Sequence, residues 1–125
     1  MILICINVNK FKTILINDYN RDENSSYNEI TYNACRIGVA FILSELYKKN
    51  KSLVHEISIA TGLVNNIWHC WIATCDCYID LTAQQFNSDY PELLIVKRTN
   101  SEKENILVPM KMYTYREWTE HEEAN

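Results

Sequence analysis

A cysteine near the start of an apolar segment is the first residue that suits nucleophilic chemistry. Cys35 lies at the N-terminal end of residues 34–49, which are apolar around most of a helical circumference and are predicted to form a buried helix capped by Asn33. A helix N-terminus carries about half a positive charge and free backbone N–H groups, which favour a thiolate and can bind an oxyanion. Cys35 is therefore a candidate nucleophile, although its position alone also fits a small core residue.

A histidine and an aspartate lie on two neighbouring predicted strands, residues 67–73 and 77–81. If residues 75–76 form a two-residue turn, the pairing register places His69 diagonally opposite Asp80 on one face of the hairpin. A four-residue loop gives the same parity, whereas a three-residue loop would put the two side chains on opposite faces. We therefore expect a hydrogen bond between the Asp80 carboxylate and the His69 imidazole.

These three residue types together suit attack on a carbonyl group. Cysteine needs a base that removes its proton and an acid that protonates the leaving group, and histidine does both near neutral pH. A carboxylate behind the imidazole fixes its tautomer and stabilises its cation. The hypothesis is that Cys35 attacks an amide-type carbonyl, His69 transfers the proton and Asp80 orients His69. His55 and His121 have no comparable setting in the sequence.

The rest of the chain predicts the elements that hold these side chains in place. Apart from the helix and the hairpin, the predicted elements are strands over residues 2–8, 11–16, 53–61, 93–98 and 106–112, loops over 18–28 and 99–105, and a helix over 115–123. The sequence thus predicts a single α+β domain over residues 1–125, in which a central buried helix packs on an antiparallel sheet.

Three short motifs within residues 33–86 resemble papain-like and transglutaminase-like hydrolases: NACRIGVAFIL, HCW and YIDLT. Those families place a Cys at the start of a buried helix, and then a His and an Asp or Asn on successive strands. The segment IDLTAQQF is also similar to small bacterial proteins of the YunG type, and some bacterial deamidase effectors share the same core. The resemblance implies a papain-like or transglutaminase-like fold and a Cys35, His69 and Asp80 triad. It implies peptide cleavage, glutamine deamidation or acyl transfer, and it departs from the usual pattern at Trp68, where a Gly is expected.

A metal site is the weaker interpretation of the same segment. His69, Cys70, Cys75 and Cys77 are potential zinc ligands, but their spacing lacks the paired C-x2-C motifs typical of zinc sites. Alternation along a strand also turns His69 and Cys70 to opposite faces. We therefore expect neither a metal nor another cofactor.

A second class of function is a catalytically silent module of the same fold that binds a protein partner. Tyr115 and Trp118, near the C-terminal end, are the aromatic side chains expected to be exposed for such contacts. Gln84, Gln85 and Phe86 follow the predicted triad strand and are interpreted as a structural corner, with Phe86 in the core.

Composition narrows the expected partners. The chain has 125 residues and a net charge of −4 without a basic patch, so nucleic acid is not predicted. No segment reaches the roughly 18 apolar residues of a membrane helix. Five unevenly spaced cysteines and the lack of a signal-peptide pattern favour a reducing compartment. We expect a cytoplasmic protein, with export as an effector left open, that acts on a protein or peptide substrate.

Overall fold

The computed structural model describes residues 5–124 and has the predicted α+β class. Its helices are α1 (Val8–Asp18), α2 (Tyr27–Ile30), α3 (Cys35–Lys49), α4 (Arg98–Lys103) and α5 (Tyr115–Ala124). Its strands are β1 (Ser58–Val64), β2 (Ile67–Ala73), β3 (Cys77–Asp80), β4 (Leu94–Lys97) and β5 (Lys111–Thr114). Two short 3-10 helices, Lys51–Glu56 and Ala83–Gln85, follow α3 and β3. Within this described range, no helix is both long enough and apolar enough to cross a membrane.

One antiparallel sheet, in the order β4-β3-β2-β1-β5, divides the core into two clusters. Ile42 and Leu46 of α3 pack on one face with Ile59 and Ile72, which are register partners and therefore point the same way. The opposite face carries a smaller cluster that includes Ala60, Trp71, Tyr78, Leu94 and Leu107. The predicted arrangement, a central buried helix on an antiparallel sheet, is confirmed.

The helix α3 begins at Cys35, one residue later than predicted, and its predicted cap is wrong. The N-cap residue is Ala34, which makes no side-chain capping bond. Asn33 has a φ of 57°, a left-handed conformation that asparagine tolerates better than most residues, and so turns the chain into the helix instead of capping it. Cys35 is therefore the first residue of α3 and not the second.

The predicted strand over residues 11–16 is wrong, because these residues lie in α1. The Asn7 side chain accepts a hydrogen bond from the Lys10 N–H at 3.0 Å and caps this helix. Phe11 and Leu15, four residues apart, are both fully buried, so the helical period outweighs the strand propensity of the surrounding Ile residues. The predicted strand over 2–8 falls partly outside the described residues; residues 5–7 have no regular structure and Val8 starts α1.

Gly62 lies within a strand where the sequence predicts a strand end. The predicted strand over 53–61 begins only at Ser58 and continues through Gly62 to Val64, while the residues before it form a 3-10 helix. A Cβ on Gly62 would lie 2.6 Å from the Val108 carbonyl oxygen. The glycine therefore allows a close approach of two backbones and not a turn.

The C-terminal third differs from prediction mainly between β4 and β5. The predicted loop over 99–105 is largely α4, and the predicted strand over 106–112 is shifted to Lys111–Thr114. Ser101 explains the first difference, because its hydroxyl donates to the Leu107 carbonyl and accepts the Leu107 N–H, which ties α4 to the following segment. The terminal helix is confirmed as α5, and β4 lies within the predicted range.

Candidate active site

The β2–β3 hairpin has the predicted register. Ile72 pairs with Ile79 and Ala73 with Tyr78, and the Thr74 N–H donates to the Cys77 carbonyl at 2.8 Å across the two-residue turn. This even loop places Asp80 on the same face as His69. The expected contact is present, since the His69 Nε2 lies 2.6 Å from the Asp80 Oδ2.

The Asp80 carboxylate is held from both sides. Its Oδ1 accepts hydrogen bonds from the Thr82 N–H at 2.8 Å and the Thr82 hydroxyl at 3.1 Å, while its Oδ2 accepts from His69. Asp80 is only 3% exposed. A buried carboxylate with three donors is fixed in orientation, so it fixes the plane and the tautomer of the imidazole in turn.

His69 is enclosed by aromatic rings and has one nitrogen free for chemistry. Trp71 stacks on the imidazole with ring centroids 5.7 Å apart, and Phe86 meets it edge-on at 4.8 Å. The ring is fully buried, and its Nδ1 has no regular hydrogen-bond partner in the described part of the chain. The Cys35 thiol interacts with this ring. Because the Nε2 of His69 is bound to Asp80, the Nδ1 is the nitrogen left to accept the proton of Cys35.

The electrostatics of the site favour a separated pair of charges. A hydrogen bond from the Cys70 thiol, opposed by burial and supported by His69, lowers the pKa of Cys35 from its ordinary value of 9.0 to about 5. Burial lowers the pKa of His69, but the charge and hydrogen bond of Asp80 and the interaction with Cys35 outweigh it and raise this pKa to about 9. Between these two values the predominant form is a thiolate beside an imidazolium.

The reactivity of Cys35 should therefore persist at low pH. Alkylation by iodoacetamide needs the thiolate, and the lowered pKa keeps that form populated well below neutrality. At pH 6, peptide mapping by mass spectrometry should find more label on Cys35 than on Cys75, which is an exposed thiol in the hairpin turn and the internal control. The rate at Cys35 should fall only as the pH drops through about 5. Equal or preferential labelling of Cys75 at pH 6 would contradict the assignment.

Two neighbours of the nucleophile were not predicted to have a role. Cys70, assigned to the core from sequence, shares a closed space with Cys35 where α3 packs on β2, and it lowers the pKa of Cys35. Gln85, assigned to a structural corner, accepts the Asn33 N–H on its Oε1 at 3.0 Å, and its Nε2 is a buried donor without an acceptor in the described residues. The HCW motif gave a signal for Cys70, since alternation turns it toward the face that α3 covers, but no sequence pattern links residues 33 and 85.

The predicted corner is present as a 3-10 helix with Phe86 as its C-cap, but Phe86 is only part-buried and lies outside the two core clusters. The Gln84 Nε2 donates to the Tyr90 carbonyl at 2.7 Å, and Phe86 packs edge-on against His69 as described above. Gln84 therefore holds the loop after the 3-10 helix, and only Gln85 is turned toward the segment that precedes Cys35.

The surface above Cys35 is aromatic and cationic. Cys35 itself is 9% exposed, and the space it shares with Cys70 and Asp80 has no room for a water molecule. Arg36, the next residue, is exposed; its guanidinium lies 4.8 Å from the centroid of the Trp68 ring, and its Nε lies 3.5 Å from the Glu122 Oε1. Trp68, which replaces the expected Gly, is 41% exposed, so an accessible ring lies against the residue that follows Cys35.

A search for metal-binding groups within residues 5–124 finds no cluster of three or more His, Cys, Asp or Glu side chains suited to hold an ion. Comparison of the chain with protein-family models, with curated proteins and with solved structures gives no match.

Proposed function

We propose that the chain is a cysteine-dependent hydrolase of the papain-like or transglutaminase-like type that acts on an amide bond. One observation carries the proposal: the Cys35 thiol at the N-terminus of α3 interacts electrostatically with the His69 imidazole, whose Nε2 lies 2.6 Å from the Asp80 carboxylate. If His69 and Asp80 were only a structural ion pair, no thiol of lowered pKa would be needed beside the imidazole. The presence of Cys35 there therefore favours a catalytic role.

Each residue then has one role in the reaction. The Cys35 thiolate attacks the amide carbonyl, and the His69 imidazolium gives its proton to the departing nitrogen, which leaves a thioester on Cys35. Neutral His69 next takes a proton from water, which attacks the thioester, and the carboxylic acid leaves as the thiolate re-forms. If an amine replaces water, the acyl group is transferred instead. Asp80 stays ionised and holds His69 throughout.

The oxyanion formed in these steps has donors on the same helix end. The first-turn N–H groups of α3, those of Cys35 and Arg36 among them, have no acceptor within the helix. The unpartnered Nε2 of Gln85 is held next to this turn through the bond from its Oε1 to Asn33. Fixed donors of this kind stabilise developing negative charge because they need no reorganisation during the reaction.

The exposed surface above the nucleophile favours a peptide or protein substrate. Trp68 and Tyr32 are large aromatic side chains that are 41% and 58% exposed, and Tyr32 lies three residues before Cys35. Because Cys35 is nearly buried, a substrate must bring its acyl group to the thiol from outside, and the rest of the substrate chain can pack on the exposed rings. A peptide bond within a chain and the carboxamide of a glutamine side chain both allow this arrangement.

A groove between α3 and α5 favours the second candidate, a protein-binding module without catalysis. The groove has a volume of about 530 Å³ and is lined in part by Leu43, Tyr47 and Tyr115. The expectation that Trp118 is exposed is wrong, since it is 4% exposed and packs on Tyr113 with ring centroids 5.5 Å apart. The groove lies outside the set of residues around Cys35, so the two candidates predict different consequences of blocking that thiol.

The test is an assay of the full chain with and without a blocked Cys35. Wild-type protein is offered a library of peptides that contain glutamine, and cleavage products, released ammonia and amine adducts are measured by mass spectrometry and a coupled ammonia assay. We expect one of the three products, and we expect it to disappear after alkylation at pH 6. Protein that never forms a product or a thioester, and that still binds partners after alkylation, would support the binding module.

A further inference from the structure

The thiol of Cys70 lies against the thiol of Cys35 in a closed space. Cys35 is the first residue of α3 and Cys70 follows His69 on β2, and the two elements pack directly on each other. Both side chains line one small space together with Ile79 and Leu81, in which no water fits. The two side chains interact electrostatically, and Cys70 is only 1% exposed.

The two thiols differ in chemical state. Cys70 donates its proton to Cys35, and burial together with the charge of Cys35 raises the pKa of Cys70, so it stays a neutral thiol. Cys35 is the thiolate, which is the species that peroxides oxidise. A thiolate at the surface side of the pair and a protonated thiol behind it are the two parts of a peroxidatic and resolving pair.

We propose that Cys35 and Cys70 form a disulfide in response to hydrogen peroxide, and that this modification reversibly protects and silences the nucleophile. The Cys35 thiolate displaces water from the peroxide O–O bond, with one proton taken up, and becomes a sulfenic acid. The Cys70 sulfur then attacks the Cys35 sulfur; its proton and the sulfenic hydroxyl leave as a second water. In sum, two thiols and one peroxide give one disulfide and two waters, and a dithiol restores both thiols.

Packing selects Cys70 over the other cysteines. Cys5 and Cys75 are exposed and Cys77 is part-buried at the turn, whereas Cys70 lines the same closed space as Cys35. The disulfide needs only these two sulfurs and no catalytic activity. Its effect as an off switch rests on the proposed function, whereas its formation does not.

The experiment treats the full chain with hydrogen peroxide and then maps it under non-reducing conditions. We expect a cross-linked peptide pair that contains Cys35 and Cys70, loss of iodoacetamide labelling at Cys35, and at least tenfold recovery of that labelling after dithiothreitol. In Cys70→Ser, peroxide should instead give a Cys35 sulfenic acid that dimedone traps, followed by sulfinic acid that dithiothreitol does not reverse. Cys75→Ser is the matched control and should behave as wild type.

Cys70→Ala separates the resolving role from the donor role. Both variants remove the disulfide, but serine keeps a hydroxyl donor to Cys35, so only alanine should shift the labelling profile of Cys35 to higher pH. A Cys35 cross-link to any other cysteine, or equal recovery in wild type and Cys70→Ser, would overturn the proposal. A protein that forms the disulfide but no amide product would support the redox pair and refute the proposed function. A protein that forms an amide product but no disulfide would refute the redox pair and support the proposed function.

Discussion

Replacing Cys35 with alanine is expected to abolish thioester formation and every amide product while leaving the fold intact. No other thiol at the site can take over the attack, because Cys70 is only 1% exposed and its burial by itself raises its pKa. Alanine is the residue best suited to a helix and occupies less space than cysteine, so we expect a loss of unfolding free energy of about 1 kcal/mol. The measurements are the rate of product formation and the thermal melting curve.

The matched control is Cys75→Ala, which removes an exposed thiol from the hairpin turn and should alter neither measurement. Two results would count against the assignment. Product formation by Cys35→Ala at the wild-type rate would move the nucleophile elsewhere, and a large fall in melting temperature would mean that Cys35 acts as a packing residue.

Replacing Asp80 with asparagine is expected to damage both activity and stability, because both carboxylate oxygens are acceptors. An amide can accept from Thr82 or from His69, but its NH2 group must then face a donor on the other side. If the amide donates to His69 Nε2, the imidazole carries its proton on Nδ1 and can no longer accept the one from Cys35. We expect a rate at least about 100-fold lower, the usual scale of a lost general base.

The same mismatch should lower the free energy of unfolding by about 1–3 kcal/mol, the cost of an unpaired buried polar group. His69→Gln is the companion variant, since its amide can still donate to Asp80 but cannot transfer a proton. It should lose at least as much activity with a smaller change in melting temperature. If Asp80→Asn melts and reacts like wild type, Asp80 does not orient the base.

The surroundings of Asp80 are only partly predictable from the sequence. Parity along two strands was enough to bring Asp80 to His69, because a side chain alternates with a period of two and the turn length sets the register. The resemblance to cysteine enzymes that carry Asp or Asn on this strand further predicts that the asparagine variant folds well and keeps part of its activity. That expectation changes because the Thr82 N–H and hydroxyl bind the second oxygen, a local contact that strand parity does not describe.

The fold likewise has elements that the sequence predicts and contacts that it does not. An apolar segment as long as α3 fits only a buried helix, so the central helix is predictable from the sequence. Residues 11–16, in contrast, fit both the residue preferences of a strand and the spacing of a helix. Burial of Phe11 against Phe41, with ring centroids 5.3 Å apart, decides between them, and that contact joins residues 30 positions apart. The contacts of Gln85 with Asn33 and of Cys70 with Cys35 are equally non-local and arise only when α3 docks on the sheet.

The turn at Cys75 and Asp76 links the exposed tip of the hairpin to the buried carboxylate. Surface turns commonly accept an extra residue at little cost. An inserted residue is harmless here if the turn takes it up as a longer loop, because Ile72 then still pairs with Ile79 and Asp80 stays on the face of His69. If β3 instead slips by one position against β2, Asp80 moves through the sheet to the face covered by α3, and Tyr78 leaves its cluster on the other face. The hydrogen bonds between Thr74 and Cys77 that close the turn therefore also secure the contact between His69 and Asp80.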